Sequence, residues 1–113
     1  MPYIAVSVSK KVDGPTKDTL QKEIAGIIDV IPGKNVSNTT INITDGCSFY
    51  KELKPLEAAF VDVRLYKASP EESKQAFAEQ LFGVIDKTLE IPPSNVQINF
   101  IEMPTWASGG KYF

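Results

Sequence analysis

The sequence predicts an α+β fold of the α/β sandwich type, in which two helices cover one face of a four-stranded mixed sheet. Two observations carry this prediction: the chain contains an internal repeat, and each copy of the repeat has a strand–helix–strand pattern. The chain has 113 residues, which is enough for one domain with its own core but too few for two. We therefore treat residues 1–113 as a single domain.

The internal repeat divides the chain into two similar parts, residues 2–45 and residues 59–102. Shifting the sequence against itself by 57 positions, without a gap, aligns ten identical pairs: Val6/Val63, Lys10/Lys67, Lys17/Lys74, Gly26/Gly83, Ile28/Ile85, Asp29/Asp86, Ser37/Ser94, Asn38/Asn95, Ile41/Ile98 and Asn42/Asn99. Average residue frequencies give only about three such pairs by chance. Two copies of one supersecondary unit are the simplest explanation.

The first copy has the pattern of a strand, a helix and a second strand. Apolar residues alternate with others from Tyr3 to Val8, which is typical of a strand buried on one face. A helix is predicted next, opened by Pro15 and closed near Pro32–Gly33, with an apolar stripe at Leu20, Ile24, Ile27, Ile28 and Ile31. The second strand is predicted from Thr39 to Thr44.

The second copy repeats this order, after a linker from Asp45 to Glu57. Its first strand is predicted from Ala59 to Tyr66. The segment Ser69–Glu72 has the pattern of a capping box with proline at the first helical position, so it predicts the start of the second helix. The buried positions are expected at Phe77, Leu81, Val84 and Ile85 of this helix and at Val96, Ile98 and Phe100 of the last strand.

The face of the predicted sheet that points away from the helices has a mixed character. It carries Tyr3, Ala5, Ser7, Thr40, Asn42, Phe60, Asp62, Arg64, Gln97, Asn99 and Ile101. This set is too polar for a second core and more apolar than a plain solvated face. The sequence leaves two interpretations open, a hydrated interface between subunits and an exposed face that binds a ligand.

Composition disfavours several classes of function. The chain has no histidine, which excludes Ser-His and Cys-His catalysis and histidine metal sites, and Cys47 is the only cysteine, which excludes an internal disulfide. We therefore expect no histidine metal site. The net charge is −2 and Arg64 is the only arginine, so a nucleic-acid partner has little support.

Membrane and secretion signals are also missing from the sequence. No apolar segment approaches the roughly 20 residues that a membrane span requires, and the first residues lack the pattern of a signal peptide. The expected location is the cytoplasm, and export without a signal peptide is the alternative.

Pro2 is the strongest candidate for a catalytic residue. Its small side chain allows an aminopeptidase to remove Met1, and the mature chain then begins with a secondary amine at the head of the first strand. Burial would lower the pKa of this amine below the ordinary α-amino value of about 8, so a neutral nitrogen could act as a general base near pH 7. A Met–Pro start on its own is more often incidental than catalytic.

Several motifs together resemble the tautomerase superfamily, in particular its larger members similar to macrophage migration inhibitory factor. The Met1–Pro2 start heads a duplicated β-α-β unit, Gly33–Lys34 follows the first helix, and residues 96–100 read Val-Gln-Ile-Asn-Phe. The resemblance covers the whole chain. It implies a homotrimer with active sites between subunits, a small-molecule keto acid as substrate, and no cofactor.

The resemblance also implies roles for individual residues. Pro2 matches the catalytic proline, Lys34 the lysine that faces the substrate, and Asn99 the asparagine that contacts it. Tyr66 lies where the family lends a backbone group to the pocket, and Trp106 matches an aromatic residue of the family's C-terminal segment. The residues themselves leave other roles open. Lys34 also suits a solvated helix end. Asn42 is the counterpart of Asn99 in the first copy, which suits a structural role in the strand or in an interface.

Two departures from the family pattern concern the substrate. Gln97 stands where the family has its active-site tyrosine, and a glutamine cannot act as a phenolic acid. The spacing around Trp106 also differs from the usual Trp-Gly-x-Asn-Gly-x-Thr-Phe ending. Arg64 on the third predicted strand is similar to arginines of the dehalogenase and decarboxylase branches, where they hold carboxylates. Its alternative role is an ion pair between subunits.

The favoured function is therefore a keto–enol tautomerase of small α-keto acids, in which Pro2 moves a proton on the carbon beside the carbonyl. Lys34, Asn99 or a backbone N–H would stabilise the enolate oxygen. One alternative is a hydratase-type dehalogenase or a β-keto acid decarboxylase, with a protonated Pro2 and with Arg64 on the carboxylate. The other is a non-enzymatic, cytokine-like binding protein.

Overall fold

The computed structural model describes all 113 residues and contains two α-helices and eight strands. In chain order they are β1 Tyr3–Val8, α1 Gly14–Ala25, β2 Thr40–Thr44, β3 Tyr50–Lys51, β4 Lys54–Pro55, β5 Ala59–Tyr66, α2 Glu71–Leu89, β6 Val96–Met103, β7 Ala107–Ser108 and β8 Lys111–Tyr112. Short 3₁₀ turns at Ile28–Val30, Val36–Asn38 and Pro93–Asn95 lie between them. Neither helix is both long enough and apolar enough to cross a membrane.

The main sheet has the strand order β2-β1-β5-β6. Each β-α-β copy contributes one parallel pair, β1 with β2 and β5 with β6, and the two copies meet through the antiparallel pair β1 with β5. The predicted four-stranded mixed sheet with two helices is therefore confirmed. Because β1 and β5 run in opposite directions, the N-terminal ends of β1 and β2 lie at the same edge of the sheet as the C-terminal ends of β5 and β6.

The core lies between the two helices and one face of this sheet. Alternate residues of β1 and β5 are buried, as the period of two predicts. The predicted core residues of α2 are buried as well, and the ring of Phe77 meets that of Phe100 edge to face, with 6.2 Å between the centroids. The opposite face of the sheet is only partly exposed, and no helix of the chain covers it.

The helix of the first copy is shorter than predicted. It is capped by Asp13, whose carboxylate accepts the backbone N–H of Thr16, and it ends at Ala25 instead of near Pro32. Gly26 follows, and glycine is a poor helix former because it loses the most backbone freedom. The apolar stripe nevertheless continues through a 3₁₀ turn, so that Ile28 and Ile31 are fully buried.

The predicted capping box at the start of α2 is wrong. The N-cap is Pro70, and no side chain caps the helix. The backbone N–H of Ser69 instead donates to the Glu102 carboxylate at 2.6 Å, and Lys74 Nζ donates to the same carboxylate at 3.1 Å. Glu102 belongs to β6, so a tertiary contact replaces the local cap and ties the start of α2 to the end of the sheet.

Two short hairpins lie outside the repeat and were not predicted. Strands β3 and β4 form one within the expected linker, and its two turn residues, Glu52 and Leu53, both have positive φ (52° and 65°). Strands β7 and β8 form the other, with Gly109 and Gly110 in its turn. Leu53 is 99% exposed, so the first hairpin presents an apolar side chain to solvent at a strained turn.

Candidate active site

A cavity of about 410 Å³ opens at the edge of the sheet where β1 and β2 begin and where β5 and β6 end. Ten residues line it: Met1, Pro2, Tyr3, Asn38, Thr40, Arg64, Met103, Thr105, Trp106 and Ser108. The sheet topology explains this grouping, because the parallel and antiparallel pairings bring the heads of two strands to the ends of two others. The last three residues come from the segment that follows β6.

Pro2 lies at the head of β1 and is buried. Its carbonyl oxygen accepts a hydrogen bond from the backbone N–H of Thr40 at 3.0 Å, one position before the β1–β2 register begins at Tyr3 and Thr40. The backbone at Pro2 is therefore held by the sheet. A pyrrolidine ring in this position has little freedom to move relative to the cavity.

The α-amino group of Met1 lies in a partly buried, electropositive environment. Partial burial is the larger cause that holds its pKa below the ordinary value of 8.0, and the charge and hydrogen bond of Lys34 lower the pKa further. Lys34 Nζ also donates to the backbone carbonyl of Tyr66 at 3.2 Å. This contact anchors the end of the lysine side chain between the first residues of the chain and the end of β5.

Arg64 is the only charged side chain among the ten residues that line the cavity. Its guanidinium carbon lies 5.8 Å from the centroid of the Tyr3 ring, and the Tyr3 hydroxyl accepts a hydrogen bond from Asn42 at 3.1 Å. Arg64 forms no ion pair with any carboxylate of the chain. The ring supports the guanidinium without neutralising its charge, so the N–H groups of the guanidinium remain available to bind an anion.

The C-terminal segment closes one side of the cavity through Trp106. The backbone carbonyl of Trp106 accepts the N–H of Phe113 at 2.7 Å, which completes the β7–β8 hairpin. The Phe113 ring then packs on Tyr66, with 5.8 Å between the ring centroids. The hairpin therefore contacts both the cavity wall and the residue whose carbonyl holds Lys34.

The structure brings most of the proposed site residues together. Pro2, Arg64 and Trp106 line one cavity, and Lys34 joins them through the carbonyl of Tyr66. Asn99 is elsewhere: it lies on β6 opposite Asp62, and its side-chain oxygen is buried without a hydrogen-bond partner in the chain. Within the chain, therefore, Asn99 does not line the Pro2 cavity.

A second, smaller cavity of about 170 Å³ is related to the first by the repeat. Shifting Pro2, Tyr3, Asn38 and Thr40 by 57 positions gives Ala59, Phe60, Asn95 and Gln97, all of which line this second cavity. Gln97, which the sequence resemblance aligned with an active-site tyrosine, thus lies at the opposite edge of the sheet from Pro2. The two copies of the unit each form a hollow at the head of their first strand.

Sequence reasoning did not assign site roles to Asn38, Thr40, Met103, Thr105 or Ser108. The positions of Asn38, Thr40 and Met103 follow from the observed parallel pairs, which place the start of β2, the turn before it and the end of β6 beside Pro2. Thr105 precedes β7 and Ser108 lies in this two-residue strand, and the segment has no apolar periodicity, so no pattern marks them. The chain contains no cluster of three or more His, Cys, Asp or Glu side chains that could hold a metal ion.

No protein-family model and no curated protein matches the sequence. Solved structures, in contrast, match over nearly the whole chain, and they include macrophage migration inhibitory factor-like proteins and fused 4-OT proteins. MIF2 of Leishmania major has a TM-score of 0.92 and 18% identity, with 100% of this chain and 97% of that chain covered.

Two further matches also cover nearly the whole of both chains. The protein Pt0534, solved after inactivation by 2-oxo-3-pentynoate, has a TM-score of 0.86 and 15% identity, covering 97% of this chain and 95% of that one. The R7 fused 4-OT, solved as an asymmetric trimer, has a TM-score of 0.87 and 17% identity, covering 97% and 94%. The chain therefore has the tautomerase-like fold of these proteins, as the sequence resemblance predicted.

Proposed function

We propose that this protein is a keto–enol tautomerase of small α-keto acids, a cofactor-independent isomerase in which Pro2 is the general base after removal of Met1. The observation that carries the proposal is the buried Pro2 at the head of β1, beside a cavity whose only charged lining residue is the unpaired Arg64. A base and an anion-binding group thus share one site. Its volume of about 410 Å³ suits a small organic acid.

The proposed reaction is a transfer of one proton. Arg64 holds the substrate carboxylate, and the neutral prolyl nitrogen removes a proton from the carbon beside the carbonyl, which leaves an enolate. Lys34 stabilises the negative oxygen, and the prolyl ammonium returns the proton to that oxygen to complete the enol. The reverse steps convert enol to ketone, and no electron is gained or lost overall.

The low pKa of the α-amino group supports the base role. In the structure this group belongs to Met1, and both burial and Lys34 lower its pKa. Removal of Met1 transfers the free amine to Pro2, which is itself buried, so the same two causes act on the prolyl nitrogen. A lower pKa leaves more of the amine neutral, and therefore competent as a base, at pH 7.

The direct test compares enol-to-keto rates on phenylpyruvate for the parent chain and for Pro2→Ala. We expect kcat/KM to fall about 10²- to 10⁴-fold, since this is the usual contribution of a positioned general base. Pro15→Ala, which removes an exposed proline at the start of α1, is the control and should keep the parent rate. Equal rates for the parent and Pro2→Ala would contradict the proposal, provided that mass spectrometry shows Met1 removed from both.

A second candidate has support in the unpaired Arg64, namely a hydratase-type dehalogenase or a β-keto acid decarboxylase. These reactions need a protonated Pro2, whereas the tautomerase needs a neutral one. The pH dependence of kcat/KM separates the two: the rate of a base-catalysed reaction falls as the pH drops through the pKa of the amine. We expect that fall at a lower pH than for a free, solvated prolyl amine, because burial and Lys34 lower the pKa of the amine at this end of the chain. A rate that falls only as the pH rises would favour the acid role.

We also propose that the working form is a homotrimer. The mixed face of the sheet has no cover from within the chain, and Asn99 keeps a buried oxygen without a donor. Assembly on this face would supply polar partners, and it would bring Asn99 and Gln97 of one subunit toward the Pro2 cavity of the next. The trimeric form of R7 fused 4-OT supports this proposal.

A further inference from the structure

A continuous series of contacts leads from the end of the C-terminal hairpin to the first residues of the chain. The Phe113 ring packs on the Tyr66 ring at 5.8 Å between centroids, and the two planes are tilted by 43°. The carbonyl of Tyr66 accepts the hydrogen bond of Lys34 Nζ at 3.2 Å. The Phe113 backbone is itself fixed by its 2.7 Å hydrogen bond to the carbonyl of Trp106.

Lys34 needs such an anchor if its charge is to act at one place. A lysine side chain has four flexible bonds and a strongly hydrated end, so it leaves a weakly held position easily. Lys34 makes no ion pair, and the Tyr66 carbonyl is the acceptor that fixes its end. This carbonyl lies at the last residue of β5, where Tyr66 pairs with Met103 of β6 and the Lys67 N–H donates to the Met103 carbonyl at 2.8 Å. Lys67, just beyond it, has a positive φ of 67°, and the Phe113 ring adds a side-chain contact at this end of the β5–β6 pair.

We propose that Phe113 is a positioning residue of the Pro2 site: by packing on Tyr66 it stabilises the end of the β5–β6 pair, and with it the carbonyl that holds Lys34 beside the free amine. The catalytic meaning of this role rests on the proposed function, but the contacts do not depend on it. Phe113 acts through the backbone of Tyr66.

The charged groups around the amine favour Lys34 as the one that carries the effect. Arg64 lines the cavity from β5, Lys67 lies over the Tyr66 ring at 5.2 Å, and the segment after β6 contributes no charged residue to the cavity. Glu102, near the end of β6, is paired with Lys74 of α2. Among all of these, Lys34 is the charge that lowers the pKa of the amine.

The test is an NMR titration of the α-amino group in four chains: the parent, Phe113→Ala, Lys34→Met and the double variant. Loss of the lysine charge raises the pKa of the amine, and loss of its anchor should raise the pKa in the same direction but by less. In the double variant we expect the value of Lys34→Met alone, because without the lysine there is nothing left for Phe113 to position. Phe113→Tyr, which keeps the ring, should titrate like the parent.

Tyr112→Ala is the matched control, since Tyr112 is the neighbouring aromatic residue of β8 and is 76% exposed. It should leave the titration unchanged. The proposal is overturned if Phe113→Ala titrates like the parent, if Lys34→Met does so, or if the two shifts add in the double variant. Circular dichroism of each chain verifies that the hairpin change has not unfolded the domain.

Tautomerase rates measured on the same samples separate this inference from the proposed function. If the pKa shift of Phe113→Ala depends on Lys34 but the parent chain has no tautomerase activity, the positioning role is upheld and the tautomerase proposal is contradicted. If the parent chain is active but Phe113→Ala does not shift the pKa of the amine, the tautomerase proposal is upheld and the positioning role is contradicted. If both hold, the acidic limb of the kcat/KM profile moves to higher pH in Phe113→Ala, and the rate at high pH also falls, because a displaced Lys34 stabilises the enolate oxygen less well.

Discussion

Arg64 illustrates how a single side chain acquires its position from the period of a strand. Its neighbours Val63 and Leu65 are buried in the core, so the alternation of β5 turns Arg64 to the other face. The Tyr3 ring on the adjacent strand supports it there, in register with it across the β1–β5 pair. The outcome is a cation that faces the cavity without a carboxylate beside it.

The first prediction at this scale concerns the substrate carboxylate. Arg64→Gln should lower kcat/KM for phenylpyruvate about ten- to a hundredfold, mainly through a higher KM, because a charge-assisted hydrogen bond contributes about 1.5–3 kcal/mol. Steady-state kinetics measures the change. The methyl ester of the same substrate lacks the negative charge and should be turned over by both chains at similar rates. An equal loss on acid and ester would show that Arg64 serves the structure and does not bind the carboxylate.

At the scale of elements, Glu102 replaces a helix cap by a link between α2 and β6. The hydrogen bond from the Ser69 N–H, and after it the one from Lys74, lowers the pKa of the Glu102 carboxyl below its ordinary value of 4.5. A depressed pKa means that the carboxylate stabilises the fold above the unfolded pKa. This stabilisation is lost as the pH falls through the lower, folded value.

Glu102→Gln should therefore reduce the pH dependence of stability. Urea titrations at about pH 6 and at about pH 3 measure the free energy of unfolding, and the parent chain should lose more of it on acidification than the variant does. Glu71→Gln is the control, because Glu71 pairs with the same Lys74 but its side chain is 86% exposed and screened by water. A variant as acid-sensitive as the parent would contradict the assignment.

The β3–β4 hairpin gives a second prediction for an element. Its turn holds Glu52 and Leu53 at positive φ, a conformation that costs ordinary residues roughly 1–2 kcal/mol each and that Asn-Gly adopts easily. The double substitution Glu52→Asn and Leu53→Gly should raise the free energy of unfolding by about 1 kcal/mol, after the greater freedom of glycine in the unfolded chain is subtracted. Urea denaturation measures it.

Leu53→Ala is the matched control for the hairpin. It removes the exposed apolar side chain but keeps a residue that is strained at positive φ, so it should leave the stability unchanged. If the alanine variant gained as much as the double substitution, exposure of leucine and not backbone strain would be the cause.

At the scale of the whole molecule, the uncovered face of the sheet leads to a prediction about assembly. Light scattering of the parent chain should give three times the chain mass of 12.4 kDa. Asn99→Asp places a second carboxylate opposite Asp62, where like charges repel and where assembly would have to desolvate both, so it should shift the trimer toward monomers. Gln80→Glu adds the same charge on the exposed side of α2 and should not. A monomeric parent chain at micromolar concentration would contradict the proposal.

Much of this architecture could be predicted from the sequence because the repeat doubles every local pattern. The bounds of β1 and β5 agree with the prediction, and β2 begins one residue later than expected. The two hairpins were missed because they lie outside the repeat and have no apolar periodicity. The early end of α1 was missed because burial of Ile28 in a 3₁₀ turn, and of Ile31 directly after it, gives the same apolar stripe as a longer helix.

The site could be predicted only in part, and the reason is geometric. Pro2 can be identified because it directly precedes a predicted strand, and the face that carries Arg64 follows from the alternation along its strand. Both inferences use only residues that are close together in the sequence. The contact of Lys34 with the Tyr66 carbonyl joins residues that are 32 positions apart, through a backbone atom that no side-chain pattern reveals. Trp106 and Phe113 belong to a segment whose path depends on its packing against the end of β5.

The two cavities related by the repeat also have a consequence for the number of active sites. Ala59 is the counterpart of Pro2, but it lies inside the chain, so its nitrogen is an amide and has no basicity to offer. Joining two β-α-β units into one polypeptide therefore abolishes one of the two free amines that separate units would possess. In the proposed trimer, three chains would therefore hold three free prolyl amines, and the second hollow of each chain would lack one.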